Sequence, residues 1–204
     1  DINLQVHNLP AVVMFECQLP EKLINDLNEY LDEYKEDPDR KTLAHTLVGQ
    51  IHQGEQLLMD HKDKRLAEYY EFITNMGVVY LTAFGDITGI KHEGRAIDID
   101  ELWSVHSFEG DYNPIHDHGT KTLMGISTTC WTMVPEQIGS LGETGTGNAE
   151  DNFTLYNSSG ACDGFLAFTY GRNEIMNTER LRPPQSITIQ PKAGRQLMFP
   201  SWMQ

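Results

Sequence analysis

Two histidines separated by one residue, His116 and His118, are the side chains best suited to chemistry in this chain. In an extended strand, side chains at positions i and i+2 point to the same face, so both imidazoles are expected to face one way. Neutral imidazole is a common ligand of divalent transition metals. The pair therefore predicts a metal site. An isolated His-x-His is also typical of loop histidines that make ordinary hydrogen bonds, because a site needs about three ligands and only two are adjacent here.

Two further side chains near this pair are alternative ligands. Asp117 lies between the histidines, but on a regular strand its carboxylate points to the opposite face. A bulge at Gly119 would turn it toward them. His106 lies on the strand predicted just before this segment, and it is the only other histidine close in sequence. The spacing alone leaves both His118 and Asp117 open as the second ligand and gives His106 no clear role.

The first half of the chain, residues 1–98, reads mainly as helix. One helix is predicted to begin at Pro20. Proline has no backbone N–H, but the N–H groups in the first turn of a helix have no partner within the helix, so nothing is lost there. The EDPD segment at 36–39 ends it. A second helix is predicted over 63–84. Each carries a stripe of apolar residues at helical spacing, which comprises Leu23, Ile24, Leu27, Tyr30, Leu31 and Tyr34 in the first and Leu66, Tyr70, Ile73, Gly77, Tyr80, Leu81 and Phe84 in the second.

The second half, residues 99–204, reads as short strands and turns. Helices followed by many short strands are typical of an α+β fold with an antiparallel barrel or sandwich at its C-terminal end. We expect one domain over 1–204, with a long polar loop at 135–160 and a Pro-Lys-Ala-Gly turn at 191–194. The predicted strands are 101–108, 118–132, 164–170, 186–190 and 195–199.

Three segments together carry a resemblance to a known enzyme family. These are the strand with Trp103 and His106, the GDYNPIHDHG segment at 110–119, and the PKAGRQLMFPSWMQ segment at 191–204. In this order they resemble the non-haem iron, 2-oxoglutarate-dependent oxygenases of the prolyl-4-hydroxylase-like kind, in a branch common in bacteria and their viruses. The resemblance covers about residues 101–204.

The resemblance implies a double-stranded β-helix, a cupin-like jelly roll, with the N-terminal helices packed on one sheet. It implies Fe(II) and 2-oxoglutarate as cofactors, with His116 as the first iron ligand. His118 stands where most of the superfamily has Asp or Glu. The implied activity is a dioxygenase that hydroxylates a peptide, a protein or a small molecule.

The family's distal metal histidine would follow Gln204, and the basic residue that pairs with 2-oxoglutarate would lie about a strand later. The resemblance therefore predicts that the last barrel strands lie outside these 204 residues, and that this chain alone is a poor oxygenase. No residue of the chain is assigned to 2-oxoglutarate.

Two other functions remain open on the sequence alone. One is a non-enzymatic jelly roll, a binding module or viral accessory protein, in which His116 and His118 are vestigial. The other is a cupin-like metalloenzyme with three histidine ligands. Metal analysis distinguishes the non-enzymatic jelly roll from the two kinds of enzyme. Release of succinate from 2-oxoglutarate distinguishes the oxygenase from the three-histidine metalloenzyme.

Composition limits the partners. Fifteen Lys and Arg against thirty Asp and Glu give a net charge of −15, which disfavours nucleic acid and anionic membranes as partners. No apolar run approaches the roughly 18 residues of a membrane helix. Three widely spaced cysteines, Cys17, Cys130 and Cys162, form no disulfide framework, so we expect buried thiols and a cytoplasmic location. The glycine-rich segment at 142–147 resembles a phosphate loop but lacks its lysine, and it is read as a flexible loop.

Overall fold

The computed structural model describes residues 12–43, 49, 54–91, 96–118, 125–139, 164–169 and 186–204. The helices are α1 (Glu21–Glu36), α2 (Ala67–Thr88) and the single turn α3 (Glu136–Gly139). The strands are β1 (Phe15–Gln18), β2 (Lys41–Thr42), β3 (Glu55–Met59), β4 (Leu102–His106), β5 (Ile126–Cys130), β6 (Leu166–Thr169), β7 (Ser186–Ile189) and β8 (Arg195–Pro200).

Both predicted helices are confirmed. Helix α1 follows Pro20 and buries an apolar stripe, as its spacing requires. A short 3-10 turn (Lys64–Leu66) leads into α2, and the Asp63 side chain caps that turn by accepting the Arg65 N–H. Helix α2 runs four residues past the predicted end at Phe84, because the first strong stop signal is Gly89, which closes the helix with a φ of 76°.

The strands form three antiparallel sheets with the orders β1-β8-β5, β2-β3-β4 and β6-β7. The five strands predicted after residue 100 are all present, most of them shorter than expected. Three strands in the first half, β1 to β3, were not predicted. They join sheets with strands of the second half, since β1 pairs with β8 and β3 pairs with β4.

The largest apolar cluster lies between the two long helices and one face of the β2-β3-β4 sheet. Leu23, Leu27 and Ile73 from the helices pack there with Met59 of β3 and Leu102 of β4. A second cluster surrounds the central strand β8, where Leu197 and Phe199 are almost fully buried. Helices packed on antiparallel sheets confirm the α+β class.

The described strands do not close into a barrel, so the jelly roll stays a prediction. Within the described ranges, no helix combines the length and apolarity needed to cross a membrane.

Candidate metal centre

His116 and His118 lie in the segment between β4 and β5, and their rings are adjacent. The ring centroids are 5.3 Å apart, with the planes tilted by 49°. The segment is not the regular strand that we expected. Pro114 has no N–H to donate to a neighbouring strand. The segment is held instead by a hydrogen bond of 3.1 Å from the His118 N–H to the Ser201 carbonyl.

Each imidazole is fixed through its Nδ1 atom. His116 Nδ1 lies 2.7 Å from the Pro114 carbonyl oxygen, which can only accept, so the proton is on Nδ1. In neutral His116 the lone pair is therefore on Nε2. His118 Nδ1 lies 2.8 Å from the Ser127 hydroxyl on β5, which leaves its Nε2 outside that bond. Histidines that bind metals usually hold one ring nitrogen in such a hydrogen bond and present the other to the ion.

The surroundings of His118 favour its neutral form. Burial lowers the pKa of His118, the neighbouring His116 lowers it further, and Asp117 opposes the shift. Trp103 of β4 meets the His118 ring edge to face, with the centroids 5.4 Å apart. Only neutral imidazole binds a metal, so a lowered pKa keeps His118 competent as a ligand at neutral pH.

The separation of the two imidazole rings fits the binding of a divalent transition metal. Two imidazoles that bind one ion at adjacent positions, with metal–nitrogen distances of about 2.0–2.1 Å, have ring centroids roughly 5 Å apart. The observed separation of 5.3 Å agrees with that value. The separation of the two rings is therefore compatible with one shared ion.

Asp117, the alternative ligand, points elsewhere. It is exposed, and its Oδ2 atom lies 3.5 Å from the Gln204 Nε2 atom. The structure thus brings His116 and His118 together and leaves the carboxylate between them at the surface. Gly119, whose bulge would redirect Asp117, lies outside the described residues.

His106 does not join the pair. Side chains alternate along a strand, so His106 lies on the face of β4 opposite to Trp103. Its Nε2 atom is 3.0 Å from the Ser104 hydroxyl, and it lines a cleft of about 350 Å³ with Lys35, Arg40 and Glu55. Among the residues that the structure describes, no group of three His, Cys, Asp or Glu side chains converges on one point.

Of the three cysteines, Cys17 and Cys130 are described, and both are free and partly buried. Burial raises the pKa of the Cys130 thiol to about 12, in line with an unreactive thiol. Cys162 and the glycine-rich segment at 142–147 lie outside the described residues.

Sequence reasoning missed the residues that orient the pair. Ser127 holds His118, and the carbonyls of Pro114 and Ser201 hold the segment. A serine in the strand ISTTC has no special sequence signal, and a backbone carbonyl has none at all. Only the antiparallel pairing of β5 with β8 identifies Ser127, because Ser127 lies opposite Phe199 and near Ser201.

Comparison with known protein families gives a match over the second half of the chain. A family model described as "Putative 2OG-Fe(II) oxygenase" matches residues 101–204, the half of the chain that contains both histidines. No curated protein and no solved structure matches the chain.

Proposed function

The chain belongs to the 2OG-Fe(II) oxygenase family, and we propose that it acts as an Fe(II)- and 2-oxoglutarate-dependent dioxygenase that hydroxylates a peptide, a protein or a small molecule. The observation that supports this most is the adjacent pair His116 and His118, with both Nδ1 atoms already hydrogen-bonded. The pair lies within the matched residues.

In this proposal, His116 and His118 hold the iron through their Nε2 atoms. The Pro114 carbonyl fixes the tautomer of His116, the Ser127 hydroxyl orients His118, and the Trp103 ring limits rotation of His118. Bound iron, with 2-oxoglutarate and dioxygen as co-substrates, would supply the oxidising chemistry: one oxygen atom of O2 would enter succinate as 2-oxoglutarate loses carbon dioxide, and the other would hydroxylate the substrate. The protein's own part is to hold and orient.

We further propose that the third iron ligand follows Gln204, as the family resemblance implies. Gln204 contacts the histidine segment, since its Nε2 atom is 3.5 Å from Asp117 Oδ2, and its N–H donates to the Thr169 carbonyl at 3.2 Å. The basic partner of 2-oxoglutarate is unassigned among the described residues.

The test is Fe(II)-dependent succinate formation from 2-oxoglutarate, measured with ascorbate for this chain and for a chain that continues past Gln204. We expect turnover in the longer chain, little in this one, and none in the longer chain carrying His116→Ala or His118→Ala. The matched control is His61→Ala, because His61 contacts the Tyr70 ring and lies on another part of the surface.

The same assay separates the alternatives. Metal bound without any succinate, in both chains and with several peptides supplied, would favour a three-histidine enzyme of other chemistry. No metal bound by either chain would favour a binding protein with a vestigial pair and would overturn the proposal.

A further inference from the structure

The segment between Trp103 and His118 forms a closed loop beside the candidate metal centre. The two rings at its ends are in edge-to-face contact, with their centroids 5.4 Å apart. The chain therefore leaves β4 after His106 and returns to it at His118. A compact surface loop with adjacent ends is frequently functional. His116 lies near the end of this loop, so the loop lies directly against the proposed iron ligands.

The tip of the loop is a tight turn that packs on a neighbouring backbone. The Asp111 N–H donates to the Phe108 carbonyl at 3.0 Å, and the Asp111 side chain accepts the Phe108 N–H at 2.9 Å. An added Cβ on Gly49 would collide with the Tyr112 carbonyl, so the loop lies directly on the backbone at Gly49. These contacts hold the turn in place at the surface.

Large apolar side chains on the loop are exposed to water. Val105 is 47% exposed, Phe108 is 58%, Tyr112 is 65% and Ile115 is 57%. We refer to these four residues as the loop patch. Side chains of this size at about half exposure leave on the order of 300–400 Å² of apolar surface, which is the extent that marks interaction sites. Side chains more than half exposed project from the surface, whereas small molecules need an enclosing pocket. The loop patch therefore suits a macromolecule.

The stretch of chain that carries the loop patch is acidic throughout. Residues 96–120 include no lysine and no arginine, and their acidic residues are Asp98, Asp100, Glu101, Glu109, Asp111 and Asp117. The last three lie on the loop itself. The loop patch is thus apolar surface interspersed with negative charge.

Two cations, Lys35 and Arg40, line a cleft beside Phe108. Lys35 Nζ lies 2.8 Å from the Asp32 carboxylate, and the Arg40 guanidinium lies 3.0 Å from the Glu55 carboxylate. Each cation is therefore paired with a carboxylate, so the two ion pairs add no net positive charge beside the loop.

This charge distribution selects the partner. A second copy of the chain also carries a net charge of −15, so two copies repel each other at an acidic surface. Nucleic acids are repelled for the same reason. A polypeptide with lysine or arginine next to apolar residues complements both the acidic side chains and the apolar patch.

We propose that the loop patch docks a basic polypeptide, with lysine or arginine beside its apolar residues, and presents it to the His116–His118 pair as the substrate. This inference rests on the proposed function and specifies its substrate class. Ile115 directly precedes His116, so a polypeptide lying on the loop patch also lies next to the proposed iron site.

The first test compares two sets of labelled heptapeptides by fluorescence anisotropy with the iron-free chain. One set has the form Lys-Xaa-Lys-Xaa-Lys-Xaa-Lys, with Xaa drawn from Leu, Ile, Phe and Tyr, and the other has Glu in place of Lys. We expect the lysine peptides to bind at least about tenfold more tightly, and to bind more weakly as salt is added. Equal affinities for the two sets would overturn the inference.

The second test distinguishes the loop patch from the net charge of the chain. Phe108→Ser combined with Tyr112→Ser removes two exposed apolar side chains and leaves the charge unchanged. The matched control is Val78→Ser combined with Val79→Ser on α2, where each valine is 50% exposed. We expect the loop variant to bind the lysine peptides about tenfold more weakly and the α2 variant to bind them as the wild type does. Equal affinities of the two variants would show that the peptides bind elsewhere, and would overturn the inference.

Failure of the proposed function is a separate outcome. Fe(II) binding is measured on the same loop variant, where we expect it to be unchanged. In the chain that continues past Gln204, lysine peptides should increase succinate formation and glutamate peptides should not. Iron binding without any preference for lysine peptides would refute this inference alone. Absence of iron binding in the wild type would refute the oxygenase proposal, and the substrate role of the peptide would fall with it.

Discussion

The Ser127 hydroxyl lies 2.8 Å from His118 Nδ1 and ties the histidine segment to strand β5. A second serine–histidine contact, Ser104 to His106 at 3.0 Å, lies on the far face of β4. The two contacts have the same chemistry, but only the first touches the proposed metal centre. They therefore form a matched pair for testing the site.

Ser127→Ala should weaken Fe(II) binding by about 10–100-fold, because partners that orient a ligand histidine typically have effects of this size. Isothermal titration of Fe(II) under anaerobic conditions measures the change. Ser104→Ala should leave the affinity within a factor of two. Equal losses in both variants would show a general effect on folding rather than an effect on the site.

His106 should make stability depend on pH. Burial lowers the pKa of His106, Lys35 lowers it further, and Glu55 opposes the shift. A lowered pKa means that the folded state binds fewer protons than the unfolded state. The free energy of unfolding is then greatest above about pH 6.5 and declines as the pH falls through that value. His106→Gln should flatten this part of the curve in urea unfolding measured between pH 5 and pH 7.5.

Lys35 is the second cause of that shift, so Lys35→Met should raise the pKa of His106 in an NMR titration. Lys41→Met is the control, because Lys41 pairs opposite Leu58 and so lies on the other face of the sheet. An unchanged His106 pKa in Lys35→Met would contradict the contribution of Lys35.

Tyr69 reaches across the core to β8. Its buried hydroxyl donates to Gln196 Oε1 at 3.2 Å, so Tyr69→Phe leaves that oxygen without its donor. We expect a loss of about 1–2 kcal/mol in the free energy of unfolding by urea. Tyr70→Phe removes a more exposed bond to the Asp60 carbonyl at 3.2 Å and should cost less than about 0.5 kcal/mol. A loss for Tyr69→Phe no larger than for Tyr70→Phe would contradict this role.

Substitutions at two glycines of similar backbone conformation distinguish the cost of backbone strain from the cost of a steric clash. Gly194 has a φ of 79°, and an added Cβ would meet the Gln18 and Ile24 side chains. Gly89 has a φ of 76°, with nothing within 4 Å of such a Cβ. Gly89→Ala should therefore cost about 1 kcal/mol from strain alone, and Gly194→Ala about 1–3 kcal/mol more. Equal losses by urea unfolding would show that the clash relaxes.

The sequence predicted the long helices because their signals are local. The spacing of Leu23, Leu27 and Leu31 and the position of Pro20 describe α1 without reference to any other segment. Strand β1 was missed because its four residues acquire a partner only through β8, with Cys17 opposite Gln196. A short strand with a distant partner leaves little periodicity to detect.

The candidate site also contains residues that the sequence could indicate and residues that it could not. The residue types and the spacing of His116 and His118 are enough to indicate a metal site. Ser127 could not be identified from the sequence, because its role depends on the strand that lies beside it. Its contact with His118 comes from tertiary packing and leaves no pattern in the neighbouring residues.

The central claim is that His116 and His118 bind one iron ion. The most direct measurement is an anaerobic Fe(II) titration followed through the imidazole resonances of the eight histidines. We predict that the His116 and His118 signals broaden together at the lowest Fe(II) concentrations, while those of His61 and His106 remain sharp. His116→Ala should abolish the early broadening of His118. Simultaneous broadening of all histidine signals, or early broadening that excludes this pair, would contradict the claim.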